Sequence, residues 1–307
     1  MCATCGCSGT AVVRLFPADW ASHVDDRPRH EAAHRLADHE HHEHEHHEHH
    51  EHREHGPGHH DHEHRDEEHD PDHRNGAERL LRLADEPDER TIRLEQKVLA
   101  KNDRLAELNR DWLRQRSVLA INLMSSPGAG KTTLLERTAR ELAGKVSILV
   151  IEGDQAAALD ATRIRAAGCK VVQINTGAGC HLDAEMVARG LNALDPPSGS
   201  VVMIENVGNL VCPSLFDLGE QARVVLASVT EGDDKPLKYP HMFRRADLII
   251  VSKTDLLPYV DFDSRRHASD VRKTSPDALM LHVSAATGAG MQEWYGWLRR
   301  RILPPED

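Results

Sequence analysis

The residues whose types and spacing most directly suggest chemistry run Ser125-Ser126-Pro127-Gly128-Ala129-Gly130-Lys131-Thr132-Thr133. They follow an apolar run, Val118 to Met124, and open a helical pattern, the strand–loop–helix context that a phosphate-cradling loop requires. Gly128 and Gly130, on either side of Ala129, let the backbone curl until its N–H groups point inward at phosphate oxygens. The helix behind them adds the positive end of its dipole. Lys131 is expected to reach the β- and γ-phosphates and the Thr132 hydroxyl to ligate Mg2+, with Thr133 beside them. Ser125 stands where this motif usually has its first glycine. The competing reading, a glycine turn without a ligand, does not account for the strand before it and the helix after it.

Acids are expected at neighbouring strand ends. Asp154 in Ile151-Glu152-Gly153-Asp154 and Glu205 in Ile204-Glu205-Asn206 both follow apolar runs. Either can hold Mg2+, directly or through water, or orient an attacking water, and the sequence does not separate these roles. Glu152 reads equally well as an exposed strand end. The base is read farther on, in Ser252-Lys253-Thr254-Asp255. A carboxylate at Asp255 can accept from both N1–H and the exocyclic amine of guanine, a donor pair that adenine lacks. Lys253 is expected to lie along the base plane. Ser252 replaces the usual Asn of such a motif. The later Ser284-Ala285-Ala286 suits a loop whose backbone N–H meets guanine O6.

Metal chemistry is suggested in three places. Cys2, Cys5 and Cys7 form C-x-x-C-G-C, three thiolates within reach of one ion, suited to Zn2+ or to square-planar Ni2+. Nineteen of the 23 histidines lie between His23 and His73, and His41, His42, His44, His46, His47, His49, His50 and His52 form their densest run. Imidazoles among glutamates bind Ni2+, Zn2+ and Cu2+ weakly and lose affinity when protonated, at about pH 6.5 and below. This tract reads as a nickel store, against the alternatives of a pH-sensitive tether or an inert solvated segment. Finally, Cys180-His181 and Cys212 sit in loops that leave carboxyl ends of strands, where ligands bind in open α/β sheets. Two Cys and one His are an incomplete tetrahedral set, which a second subunit can complete across a two-fold axis; buried loop cysteines are the equal alternative. Cys169 reads as structural.

The elements that must position these groups are legible in outline. Apolar runs at 118–124, 146–151, 170–174, 200–204, 223–229, 247–251 and 279–283 alternate with helical stretches at about 131–143, 156–167, 183–193, 264–274 and 290–302. Near-continuous apolar strands separated by helices indicate a parallel sheet covered on both faces. Residues 88–116 read as one leading helix, capped by Asp88, whose apolar stripe is Ile92, Leu94, Val98, Leu99, Leu105, Leu108 and Leu113. The expected zones are therefore a cysteine-rich tip at 1–10, a His/Glu-rich tether at 11–84 and a nucleotide-binding domain at 85–307. The tether is too poor in apolar residues to offset the entropy of ordering, so it is expected to be disordered without metal.

Charge excludes some classes. The net charge is −12, and the stretch from His23 to His73 carries a charge of the same size, so the remainder is neutral in sum and offers no basic face for nucleic acid. No apolar run approaches the roughly 18 residues of a membrane span. Arg14, Pro17 and Asp19 interrupt the only apolar stretch that resembles a signal segment. Clustered thiols without a disulfide framework fit a reducing, cytoplasmic setting.

Taken together, C-x-x-C-G-C, the His-rich insert, SSPGAGKTTLL, IEGDQ, Cys180-His181, ENVGNL, Cys212, SKTDLLPY and Ser284-Ala285-Ala286 resemble the nickel-incorporation GTPases of hydrogenase maturation, the HypB family, across nearly the whole chain. The resemblance implies a Rossmann-like P-loop domain and Mg2+-dependent GTP hydrolysis that leaves GDP. It implies a nickel or zinc site of Cys180, His181 and Cys212 at a GTP-dependent homodimer interface, and a separate tight nickel site at Cys2, Cys5 and Cys7. The partners it implies are the zinc-containing HypA chaperone and the hydrogenase large subunit. Competing readings are a urease-type nickel GTPase, a nickel storage protein with a vestigial GTPase part, and an ATP-using P-loop kinase.

Overall fold

The computed structural model describes residues 12–16, 89–154, 159–177 and 179–302. Cys2, Cys5, Cys7, Asp88 and the histidine tract from His41 to His52 lie outside them, so what the sequence suggests there is carried by the sequence alone.

The apolar runs become the strands β1 (Val12–Phe16), β2 (Leu119–Ser125), β3 (Ile148–Asp154), β4 (Lys170–Asn175), β5 (Val201–Glu205), β6 (Ala222–Ser228), β7 (Leu248–Ser252) and β8 (Leu279–Val283). The long helices are α1 (Glu89–Gln115), α2 (Lys131–Leu142), α3 (Leu159–Ala166) and α4 (Ala184–Leu194). Short turns of helix follow, α5 (Cys212–Leu215), α6 (Lys235–Lys238) and α7 (Pro240–Arg244), before α8 (Ser264–Thr274) and α9 (Met291–Ile302). The sheet order is β1-β4-β3-β5-β2-β6-β7-β8, with β2 to β8 all parallel. After β2 the chain winds to one side through β3 and β4, returns to β5, and then winds to the other side from β6. The change of direction beside β2 leaves a crevice at the carboxyl ends of the central strands, where open α/β sheets bind ligands. No helix among the described residues is long and apolar enough to cross a membrane.

Burial explains why these runs pair as they do. All of β5, β6 and β7 is buried, as expected of parallel strands covered on both faces. On one face Ile121, Leu123, Met203 and Val224 pack against Leu134 and Leu135 of α2, Ile164 of α3 and Trp294 and Leu298 of α9. On the other, Ala120, Ile151, Val172 and Val202 pack against Val187 and Leu191 of α4 and Leu113 at the end of α1.

Two expectations are corrected. The segment 11–84 was expected to be a tether throughout, yet Val12–Phe16 pairs antiparallel with β4, Val12 opposite Asn175 and Phe16 opposite Val171. A five-residue segment that is apolar except at Arg14 gains ladder hydrogen bonds beside an open sheet edge, which composition averaged over the tether conceals. The leading helix forms, but only part of the expected stripe docks: Leu113 is buried, whereas Ile92, Leu94, Val98 and Leu108 are exposed. Beside Leu113, Ala106 and two buried asparagines dock it. Asn102 Nδ2 donates to the carbonyl of Asp217 (2.8 Å) while its Oδ1 accepts from Ala184 N (2.9 Å). Asn109 Nδ2 donates to the carbonyls of Ala184 (2.8 Å) and Leu218 (3.0 Å). Gly219, at φ +89°, lets the backbone pass so close that a Cβ there would lie 2.5 Å from the Ala106 carbonyl oxygen.

Candidate functional site

At the end of β2 the chain turns through Gly128 (φ +74°) and Gly130 (φ +100°), a left-handed region that L side chains rarely adopt, and enters α2 at Lys131. Ser125 has a visible role: its hydroxyl accepts from Lys131 Nζ (2.9 Å) and donates to the Ser126 carbonyl (2.6 Å). Lys131 is buried, and burial lowers its pKa, opposed by Glu205 first and by Asp160, Glu231 and Asp154. Thr132 Oγ1 donates to Glu205 Oε1 (2.7 Å). Ser126 Oγ donates to Glu231, a contact that the sequence did not suggest.

Register places the acids. Glu152 on β3 lies opposite Glu205 on β5, so both point to one face, and Asp154 follows two residues along β3 on that face. Glu152 is therefore no exposed strand end; it is 2% exposed. Burial, then the charges of Glu205 and Asp154, push its carboxyl up to about 8. Burial pushes Glu205 up to about 7, opposed chiefly by Lys131. One carboxylate oxygen each of Glu152, Glu205 and Glu231 is buried without a hydrogen-bond partner. A buried ammonium and hydroxyl beside orphaned carboxylate oxygens is a site fitted to a phosphate with a divalent cation, which would satisfy both sets at once.

A cleft of about 210 Å3 extends from this loop, lined by Ala129, Gly130, Thr133, Lys253, Asp255 and Ala285 among others. Lys253, in the left-handed conformation at φ 58°, brings its Cε to 3.9 Å from the position of a Cβ at Gly130. Ser252 Oγ donates to the Ala129 carbonyl (2.7 Å), so the residue in place of the usual Asn still ties base loop to phosphate loop. Asp255 Oδ1 accepts from Ser284 Oγ (2.6 Å), which joins the two segments expected to read the base.

The third group is Cys180, His181 and Cys212, whose ligand atoms all lie within 4.8 Å of one another. His181 stacks on Phe216 with centroids 3.9 Å apart, and burial lowers its pKa, which favours the neutral imidazole that binds metal. Two sulfurs and one nitrogen converging on one point suit Zn2+ or Ni2+ and leave a coordination position over. Cys169 is apart from them, buried, its thiol pushed up to about 11 by burial, as a structural cysteine should be.

These sites are joined by the segment after β5. Asn206, buried, accepts from Leu182 N (3.1 Å) and Val207 N (3.0 Å) and donates to Asn122 Oδ1 (3.3 Å). A Cβ at Gly208 would lie 2.9 Å from Pro127 Cα, and one at Gly153 would meet the Leu182 side chain at 2.7 Å. The chain between Glu205 and Cys212 thus touches both the phosphate loop and the loop that carries Cys180 and His181. Thr132 meets Glu205 beside Lys131, while Lys253, Asp255 and Ala285 line the cleft and Ser284 is bonded to Asp255. Glu152, Asn206, Gly208 and Glu231 were not singled out as site residues, because only sheet register and loop packing bring them in.

Comparison with known proteins agrees with this geometry. Residues 119–282 match the family model described as CobW/HypB/UreG, nucleotide-binding domain. The chain is 53% identical over 212 residues to the hydrogenase maturation factor HypB of Azotobacter vinelandii, covering 69% of this chain and 70% of that one. It is 39% identical over 212 residues to the hydrogenase/urease maturation factor HypB of Helicobacter pylori, covering 67% and 86%. Among solved structures it is similar to the HypB of Archaeoglobus fulgidus, with TM-score 0.63 and 42% identity over 67% of this chain and all of that one. It is also similar to a Helicobacter pylori HypB solved in complex with nickel, with TM-score 0.62 and 36% identity over 67% of this chain and 99% of that one.

Proposed function

The chain belongs to the CobW/HypB/UreG nucleotide-binding family, and from that premise we propose that it is a cytoplasmic GTPase that hydrolyses GTP with Mg2+ and governs nickel insertion into the [NiFe]-hydrogenase large subunit. The observation that carries the proposal is the adjacency of two sites, a phosphate loop with a carboxylate-based base pocket and a Cys–His–Cys cluster, connected by the residues from Glu205 to Cys212.

The chain's residues divide the work. The N–H groups from Gly128 to Thr132 receive the phosphates, and Lys131 exchanges the Ser125 hydroxyl for phosphate oxygens. Glu205, already bonded to Thr132, serves the magnesium side; Asp154, farther out on β3, is available to the attacking water. Magnesium, when bound, neutralises charge on the terminal phosphates. Asp255 selects guanine, with Lys253 along the base and the loop at Ser284 and Ala285 on its 6-oxo edge. Cys180, His181 and Cys212 hold nickel, or zinc in its place, and the ligand missing from the set comes from a second copy in a GTP-dependent homodimer. Nickel cargo is also taken by Cys2, Cys5 and Cys7 and stored on the histidine tract, and passes to a HypA-type chaperone. A second reading, service to urease as well, has the Helicobacter relative's printed name in its favour.

The test is turnover of GTP, ATP and xanthosine triphosphate by the wild type and by Asp255→Asn. GTP use that moves toward the xanthine nucleotide in the variant supports the proposal. Equal or better use of ATP by the wild type overturns it.

A further inference from the structure

The loop Ser284-Ala285-Ala286 does not hold its shape alone. Arg137 on α2 donates from Nη1 to the carbonyls of Ala285 (2.9 Å) and Ala286 (3.0 Å), with its Nε on Glu141 Oε1 (2.6 Å). The guanidinium also lies against Gly288, at φ +95°, where a Cβ would fall 2.5 Å from its Nη2. Because a trans peptide is planar, fixing a carbonyl fixes the following N–H in the opposite direction. Holding the Ala286 carbonyl therefore aims Thr287 N–H, which donates to Ser284 Oγ (3.1 Å), the hydroxyl already bonded to Asp255. Holding the Ala285 carbonyl aims the N–H of Ala286 away from Arg137, and Ala285 and Ala286 both line the cleft. The N–H groups of Ser284 and Gly288 are spent inside the loop, on the carbonyls of Ala289 and Ser284. Among the described residues no acceptor takes the N–H of Ala285 or Ala286.

We infer that Arg137 is a positioning residue for base selection: by gripping these two carbonyls from the phosphate-loop helix, it holds a backbone N–H on the 6-oxo group of guanine. The inference rests on the guanine reading above. It also predicts a division of labour, with Asp255 reading the N1–H and 2-amino edge and Arg137 acting chiefly on the 6-oxo contact, its link to Asp255 passing only indirectly through Thr287 and Ser284. The opposing account is that Arg137 and Glu141 are an ordinary i,i+4 helix pair, which contributes a few tenths of a kcal/mol and touches no ligand.

The experiment measures affinities of GTP, ATP, 6-thio-GTP and inosine triphosphate for the full chain, as wild type, Arg137→Ala and Arg137→Lys, with a melting curve for each. The thio analogue alters only the 6-position acceptor; inosine lacks only the 2-amino group. In Arg137→Ala the preference for GTP over 6-thio-GTP should shrink about fivefold, the worth of one ordinary hydrogen bond. Its preference for GTP over inosine triphosphate should stay within about twofold, and Arg137→Lys, which keeps a single donor nitrogen without the guanidinium's fork, should lie between. Unchanged ratios for both analogues overturn the inference, as does an equal shift in both, which marks general loosening of the site. A wild type that binds 6-thio-GTP as well as GTP overturns it too, since no 6-oxo contact then exists to be set. A wild type that prefers ATP overturns the guanine reading itself, a result recognisable before any variant is made.

Discussion

Glu152 shows how a single buried group sets a pH dependence. Its carboxyl is pushed up to about 8 by burial first and then by Glu205 and Asp154. The folded chain therefore binds this proton more tightly than the unfolded chain, whose carboxyl titrates near its ordinary value of about 4.3. Between these values the folded state holds more protons, so its stability falls as pH rises from about 4.5 to about 8. In the nucleotide-free protein, Glu152→Gln removes that cost. Its melting temperature should exceed the wild type's at pH 8 by at least the roughly 2–4 °C that 1 kcal/mol represents in a domain of this size. At pH 5 the two should melt together. Parallel curves across the range would show that Glu152 ionises as an ordinary surface carboxylate does. Ser125 and Ser252 make a related point about departures from a motif. Both hydroxyls form bonds of 2.7–2.9 Å that hold the phosphate loop, to Lys131 and to the Ala129 carbonyl.

At the scale of elements, the decisive contacts are close approaches between segments far apart in the chain. The segment after β5 runs against the phosphate loop at Gly208 and Pro127, and β3 runs against the loop of Cys180 and His181 at Gly153 and Leu182. The two glycines should respond differently to a methyl group. At Gly208 the obstacle is Pro127 backbone, which cannot swing away, so Gly208→Ala must displace the phosphate loop. GTP affinity should fall on the order of tenfold, within the 1–3 kcal/mol typical of overpacking. At Gly153 the obstacle is the Cγ and methyls of the Leu182 side chain, which can shift without moving the phosphate loop, so Gly153→Ala should cost less in GTP affinity. Titration calorimetry on both variants checks the ranking, and an equal loss would mean that the two contacts are alike. The leading helix teaches the same lesson. Its placement depends on Asn102 and Asn109 satisfying carbonyls and an N–H at the start of α4 and at 217–218, and the periodicity of leucines is silent about that.

For the molecule as a whole, the functional question is whether the nucleotide and metal sites communicate. Coupling requires that a ligand bind two states of the chain with different affinity, and it is reciprocal. Asn206 is the shared structural part: it follows Glu205 directly and accepts from Leu182, next to His181. Nickel affinity at Cys180, His181 and Cys212, measured by chelator competition, should differ by about tenfold between the GTP and GDP states. The ratio of GTP to GDP affinity should then change by the same factor when nickel is bound. In Asn206→Ala that factor should approach one, provided the variant still melts above the assay temperature. Equal nickel affinity in both nucleotide states of the wild type would remove the switch and leave two independent sites on one sheet.

The sequence by itself determined the strand–loop–helix at Ser125 to Thr133, the alternation that builds a parallel sheet, and the candidates for base and metal contact, Lys253 and Asp255 among them. These are properties of contiguous residues: a glycine turn, a periodicity, a carboxylate after a strand. The tertiary structure alone decided that Glu152 is buried opposite Glu205, that Cys180 and His181 meet Cys212, and that Val12–Phe16 joins the sheet edge. It alone decided that Arg137 holds the loop at Ala285, and that α1 docks by asparagines while much of its leucine-rich stripe faces solvent. Each of these depends on strand register or on contact between segments far apart in the chain, and such contacts leave no local pattern because many sequences satisfy either side of them equally well.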